Sequence, residues 1–263
     1  MNAAVIAQYR AFIVDMDGVL WTGDTPLPGL RAFFAALRRT GRKFVLATNN
    51  ATRTAAQYVE RAAGFGVELA RTEIITSAEA TARAIADESG AGTRVFCIGE
   101  VGLAEALVAE RLALHNDDVR YVIVGMDRSV DWSKLATAAL NIRAGARFIG
   151  TNPDVSFPTE RGIVPGNGAI LAALEAATGV SPRIIGKPEP VLYEQALARM
   201  CAAREETLVI GDRLDTDIAG AIRAGLSSLL VLTGITSPAM VAAGAVKPTH
   251  VLPALADLTP LLD

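Results

Sequence analysis

Residues 12–24 read F-I-V-D-M-D-G-V-L-W-T-G-D, and the reading of this run decides the fold. Phe12, Ile13 and Val14 form a short apolar run that stops abruptly, which predicts a buried strand. It stops at two carboxylates, Asp15 and Asp17, separated by one residue. In extended chain, residues i and i+2 point the same way. If extension continues through Asp17, both carboxylates face one space at the strand's C-terminal end. Two like charges that close need a cation or a proton between them. The competing reading is a strand running into an acidic turn, because D-x-D-G is also turn-forming composition. A loop with Trp21 and Gly23 follows.

Working outward, strand and helix signals alternate along the chain. Strands are expected at 43–47, 94–98, 121–124, 148–149, 183–185, 207–210 and 229–232. Helices are expected at 30–40, 54–63, 78–89, 103–111, 133–144, 168–178, 191–203 and 217–224, several closed by glycine. The strands are nearly continuous Val, Ile and Leu, which points to parallel sheets covered on both faces, an α/β architecture. Open α/β sheets carry their sites at the carboxyl ends of strands. Four strand ends have unusual polar punctuation: Asp15 with Asp17, Thr48 with Asn49, Lys187, and Asp212 with Asp215 and Asp217. One acidic strand end is a turn; four complementary ones look like one site.

The bulk properties narrow the classes. The 263 residues are 51% hydrophobic and 20% charged, which excludes a disordered chain. The 25 basic and 28 acidic residues give a net charge of −3, and no basic run suggests a nucleic-acid partner. No segment reaches the 18 or so uninterrupted apolar residues of a membrane span. The first residues lack the pattern of a signal peptide, so a cytoplasmic location is expected. Cys97 and Cys201 lack metal-ligand spacing and are expected to be buried structural thiols. His115 and His250 have no companions at ligand spacing, which weighs against serine–histidine and zinc–histidine chemistry.

Two carboxylate clusters, one lysine and one threonine at converging strand ends suit phosphoryl transfer. Asp15 and Asp212 can offer hard oxygen ligands to Mg2+. Lys187 and the Thr48 hydroxyl can hold phosphoryl oxygens as charge spreads over them. One carboxylate is then free to attack phosphorus. The other can protonate the leaving oxygen and later deprotonate water.

D-M-D-G-V at 15–19, T-N-N at 48–50, G-K-P at 186–188 and G-D-R-L-D-T-D-I at 211–218 resemble, in order, the four motifs of the haloacid dehalogenase superfamily. The insert between the second and third motifs, with T-N-P-D at 151–154 and P-G-N-G-A at 165–169, is similar to the NagD-like, p-nitrophenylphosphatase-like branch with its C2-type cap. The resemblance implies a Rossmann-like parallel-sheet core formed by residues 1–79 and 181–263, with an inserted α/β cap at 80–180. It makes Asp15 the nucleophile and Asp17 the general acid/base, whose backbone carbonyl also reaches the metal. Asp212 is then a direct Mg2+ ligand and Asp217 a supporting one, while Thr48, Asn49 and Lys187 bind phosphate. The second Asp argues against dehalogenases, which lack it.

The implied activity is Mg2+-dependent hydrolysis of a small phosphorylated metabolite, such as a sugar phosphate or nucleotide, through an aspartyl phosphate. No nucleic acid or membrane takes part. Cap-mediated homodimers occur among similar proteins, so a homodimer is one expected assembly. The alternatives are a phosphomutase or phosphotransferase of the same superfamily and a receiver-like phospho-acceptor domain. Because the core motifs see only the phosphoryl group, substrate choice falls to the cap. There the proline- and glycine-rich stretch from Thr151 to Gly168 reads as a structured loop, with Asp154 and Arg161 as the expected contacts to the leaving group.

Overall fold

The computed structural model describes residues 3–159 and 161–262. They form two compact units. One comprises Met1–Thr48, Ala56–Ile75 and Lys187–Asp263; the other comprises Asn49–Ala55 and Thr76–Gly186. The fold is α/β, with a Rossmann-like parallel-sheet unit and a second α/β unit inserted into it.

The first unit is built on a six-stranded sheet. Its order is His250–Leu252, Ser227–Val231, Thr207–Gly211, Ala11–Val14, Lys43–Thr48 and Ile74–Thr76. All four residues of Ala11–Val14 are buried, as an apolar run covered on both faces must be. This strand pairs in parallel with Thr207–Gly211 on one side and Lys43–Thr48 on the other, with Val14 level with both Ile210 and Leu46. Three adjacent strands therefore end together, and Asp15, Thr48 and Asp212 fall at one edge. Helix Leu30–Arg39 buries Leu30, Phe33, Phe34 and Leu37, the spacing of a single helical face. Its last turn carries Arg38 and Arg39, cations that suit the negative end of the helix dipole.

The second unit has a five-stranded parallel sheet ordered Arg183–Ile184, Arg147–Gly150, Tyr121–Val124, Arg94–Ile98 and Ala113–Leu114. Phe96, Ile98, Val122, Val124, Phe148, Leu171 and Leu174 share one core with Ala138 and Ile142 of helix Trp132–Arg143. Helix Ser77–Ser89 opens with a reciprocal cap: Thr76 accepts from the Glu79 amide at 3.2 Å and Glu79 accepts from the Thr76 amide at 3.1 Å. No helix among the described residues is long and apolar enough to cross a membrane.

Three expectations are corrected. The Thr151–Gly168 stretch contains an antiparallel hairpin, Ser156–Thr159 with Gly162–Pro165. Its prolines suggest a loop, but both strands of a two-stranded ribbon are edges, where a residue without an N–H is tolerated. Arg161 lies in the turn between them, and Glu160 lies outside the described residues. The helix expected from Asp217 is a π-helical turn, Leu214–Ile218, leading into a short helix at Ala219–Arg223. Finally, the cysteines are not both buried: Cys201 is exposed and Cys97 is half-buried. Helix Val191–Met200 ends just before Cys201, which takes a left-handed conformation as the cap and turns its side chain outward.

Candidate active site

Asp15 leaves the end of the central strand with its amide donating to the Ile210 carbonyl at 2.8 Å. This bond extends the ladder one residue beyond Val14 and fixes where the carboxylate emerges. Lys187 begins the returning segment of the first unit. Its ammonium donates to Asp15, to Asp217 Oδ1 at 2.7 Å and to the Ala47 carbonyl at 3.1 Å. Those three acceptors match the three donors of an ammonium. Lys187 is 3% exposed and Asp217 1%, so the pair is shielded from water. Asp15, Asp212 and Asp217 each place a carboxylate oxygen within 4.8 Å of the other two.

Asp15, Lys187, Asp212 and Asp217 thus lie in one cluster. Thr48 is buried at the end of its strand, one residue beyond the carbonyl that holds Lys187. Asp17 stands apart from the cluster by its side chain: it is exposed, and its Oδ1 accepts from the Trp21 indole N–H at 3.1 Å. Asp215 is also exposed and pairs with Arg213 at 2.7 Å. Asn49 belongs to the second unit, where its side-chain Nδ2 donates to Asp154 Oδ2 at 3.2 Å and its backbone carbonyl accepts from Asn152 and Ser77. Asp154 is therefore engaged within that unit, and Arg161 is exposed at the hairpin turn.

Sequence reasoning missed what holds Asp212 and Asp217. The Asp212 carboxylate accepts from the Ile235 amide at 2.8 Å, and the Thr236 amide donates to the Asp212 carbonyl at 3.3 Å. The Thr233 hydroxyl donates to the Gly18 carbonyl at 2.6 Å, tying this loop to the turn after Asp17. Gly234 makes the approach feasible: a Cβ there would lie 1.9 Å from Asp212 Oδ2. Gly18, at φ +85°, would likewise bring a Cβ to 2.6 Å from the same oxygen. On the other side, buried Tyr193 donates to the Asp217 carbonyl at 3.1 Å and pins the π-helical turn. The available signal was T-G-I-T at 233–236, a fifth strand end with polar punctuation directly after the Ser227–Val231 strand.

Charge explains the local behaviour. One ammonium against three carboxylates leaves the ionised cluster short by two positive charges. Burial pushes the Asp15 carboxyl well above its ordinary range; Lys187 opposes this, while Asp217 and Asp212 add to it. Burial, with Asp217 beside it, pushes Asp212 up to about 7. Burial also works against the Lys187 charge, but Asp15 and Asp217 outweigh it and hold the ammonium well above its ordinary range. Hard carboxylate oxygens, a deficit of two charges and a shared locus are the donor set a divalent ion such as Mg2+ takes.

Comparison with known proteins gives the family. A haloacid dehalogenase-like hydrolase family model matches residues 12–112, and a HAD-hydrolase-like model matches 184–258. An acid sugar phosphatase of Staphylococcus aureus is 40% identical over 244 residues, 92% of this chain and 94% of the relative. The 4-nitrophenylphosphatase of Thermotoga maritima superposes with a TM-score of 0.95 at 32% identity, covering 98% of this chain and 99% of that one. The glycerol phosphate phosphatase of Mycobacterium tuberculosis, solved in complex with magnesium, gives a TM-score of 0.90 at 35% identity over 100% of this chain and 78% of that one. The chain belongs to the haloacid dehalogenase-like hydrolases, in their NagD-like branch.

Proposed function

We propose that this chain, a phosphatase of that family, hydrolyses small phosphate monoesters through a phosphorylated Asp15. The observation that carries the reading is the buried cluster in which Asp15, at the end of the central strand, meets Lys187, Asp212 and Asp217. Asp15, Asp212, the Asp17 carbonyl and, directly or through water, Asp217 would hold Mg2+. When bound, the ion supplies positive charge that offsets the carboxylates and the phosphoryl oxygens.

The remaining chemistry belongs to the chain. An Asp15 oxygen forms a bond to phosphorus as the ester P–O bond breaks. Asp17 gives its proton to the departing oxygen. Its exposure suits a group that must meet a leaving group. Water then attacks phosphorus, Asp17 takes the water's proton, and the Asp15–phosphorus bond breaks to release phosphate. Lys187 neutralises Asp15 before the attack; once Asp15 is esterified, the freed N–H turns to a phosphoryl oxygen. Thr48 and Asn49 bind the same oxygens.

Relatives named for sugar phosphates, glycerol phosphate and 4-nitrophenyl phosphate support a small ester as the substrate class. Selection among such esters falls to the inserted unit, with Asp154 and Arg161 as the contacts we assign. A screen of phosphometabolites with Mg2+ present and absent tests the reading. Multiple-turnover phosphate release that requires the metal is the expected result. A single stoichiometric phosphorylation, or turnover unchanged in EDTA, would overturn it. Substituting Asp154 and Arg161 should then reorder kcat/KM among esters while the metal requirement persists; a uniform change would remove them from the specificity site.

A further inference from the structure

The turn after Asp15 brings Trp21 back onto Asp17. The amides of Val19, Leu20 and Trp21 all reach the Met16 carbonyl, at 3.3, 2.8 and 3.4 Å, and the Gly18 amide donates to the Trp21 carbonyl at 2.8 Å. Asp17 and Trp21 are thereby paired as an isolated bridge. The side chains meet as well, since the indole N–H donates to Asp17 Oδ1 at 3.1 Å.

The indole itself is held fast. Trp21 is 1% exposed. The Phe65 ring packs on it with centroids 5.7 Å apart, and the Arg61 guanidinium lies 5.0 Å from the indole centroid. Arg61 is fixed in turn by donating to the Gly23 carbonyl in the hairpin formed by Trp21–Thr22 and Thr25–Pro26. Arg31 anchors the Phe65 carbonyl at 2.7 Å. A rigid, buried donor therefore points at an exposed carboxylate. A tryptophan used only to fill space needs no such alignment, because its single N–H could meet any carbonyl.

We propose that Trp21 is a positioning residue that holds the Asp17 carboxyl in the rotamer from which it delivers a proton to the leaving oxygen, with Arg61 and Phe65 clamping the indole. The proposal rests on the reading of Asp17 as general acid/base. A fixed acid matters most when the departing oxygen is basic and needs its proton in the transition state. Loss of the donor should therefore be felt in proportion to how poor the leaving group is. A packing defect would slow all esters alike.

The test uses phenyl phosphate and p-nitrophenyl phosphate, which share a ring and differ chiefly in leaving-group basicity. Trp21→Phe removes the N–H but also shrinks a buried ring. A second variant therefore carries 3-benzothienylalanine at position 21, where sulfur replaces the N–H in a ring of nearly the same shape. It is made in a Trp132→Phe background, Trp132 being 81% exposed. For the shape-preserving variant, kcat/KM should fall about tenfold for phenyl phosphate, the scale of one hydrogen bond to a charged group. The fall for p-nitrophenyl phosphate should stay below about threefold on the same reasoning. Equal falls for both esters, or none, would overturn the proposal and leave Trp21 as packing. Asp17→Asn is measured alongside. If it too fails to discriminate between the esters, the general-acid reading falls and takes the proposal with it. If Asp17→Asn discriminates and the Trp21 variant does not, only the role of Trp21 fails.

Discussion

At the scale of single residues, the site rests on side chains whose charges are unaffordable alone. Asp15→Asn preserves shape but removes the attacking oxyanion, while Lys187 keeps its bond to Asp217. Turnover should fall by several orders of magnitude with the fold intact, checked by phosphate release beside a melting curve. Retention of more than a few per cent of activity would exclude Asp15 as nucleophile. The two thiols should behave differently from each other. Burial and the nearby Asp127 push the Cys97 thiol up to about 12. Since only the thiolate attacks, roughly one part in ten thousand of Cys97 is reactive at pH 8. Exposed Cys201 should be labelled quickly by a disulfide reagent in the native protein, and Cys97 only slowly. The Cys97 rate should climb tenfold per pH unit up to its pKa. Rapid labelling of two thiols per chain at pH 8 would contradict this.

At the scale of elements, the strand ends were legible because each apolar run stops at a polar residue and parallel strands carry their chemistry at one end. Asp15, Asp212 and Asp217 were found that way, whereas Lys187, read as another strand end, follows Arg183–Ile184, a strand of the second unit's sheet. The supports were not legible, because they depend on backbone approach that residue types alone do not encode. The Thr233–Thr236 loop is the clearest instance, where the absence of a single Cβ at Gly234 lets a backbone amide reach Asp212. Gly234→Ala should displace that carboxylate and weaken Mg2+ binding at least tenfold by calorimetry, on the scale of one charge-assisted hydrogen bond. Affinity equal to the parent's would show that the loop has no part in holding Asp212. The Ser156–Pro165 hairpin was missed for a different reason: prolines read as breakers are compatible with a ribbon that is all edge. The π-helical turn at Leu214–Ile218 has no sequence signal, because Tyr193, which pins it, comes from a distant helix.

At the scale of the whole molecule, stability and metal binding should be linked, since three carboxylates gathered around one lysine cost free energy until a cation arrives. Chelation with EDTA should lower the melting temperature, and Mg2+ should restore it by mass action. Lys187→Met removes the internal cation and leaves buried charge uncompensated. It should cost about 3–5 kcal/mol in urea unfolding with EDTA present, and the gap should narrow when Mg2+ is added. A gap indifferent to Mg2+ would mean that the ion and the lysine do not share a charge cluster. The pairing of Ala11–Val14 with Thr207–Gly211 also bears on synthesis. A ribosome extends a chain by about 5–20 residues per second, so the first strand waits roughly ten to forty seconds for that neighbour. For most of that interval it has Lys43–Thr48 available on one side and a bare row of amides and carbonyls on the other. The most apolar strand of the first unit's sheet is thus the one longest at risk of pairing with the wrong chain, and the one a chaperone at the ribosome would have most reason to shield.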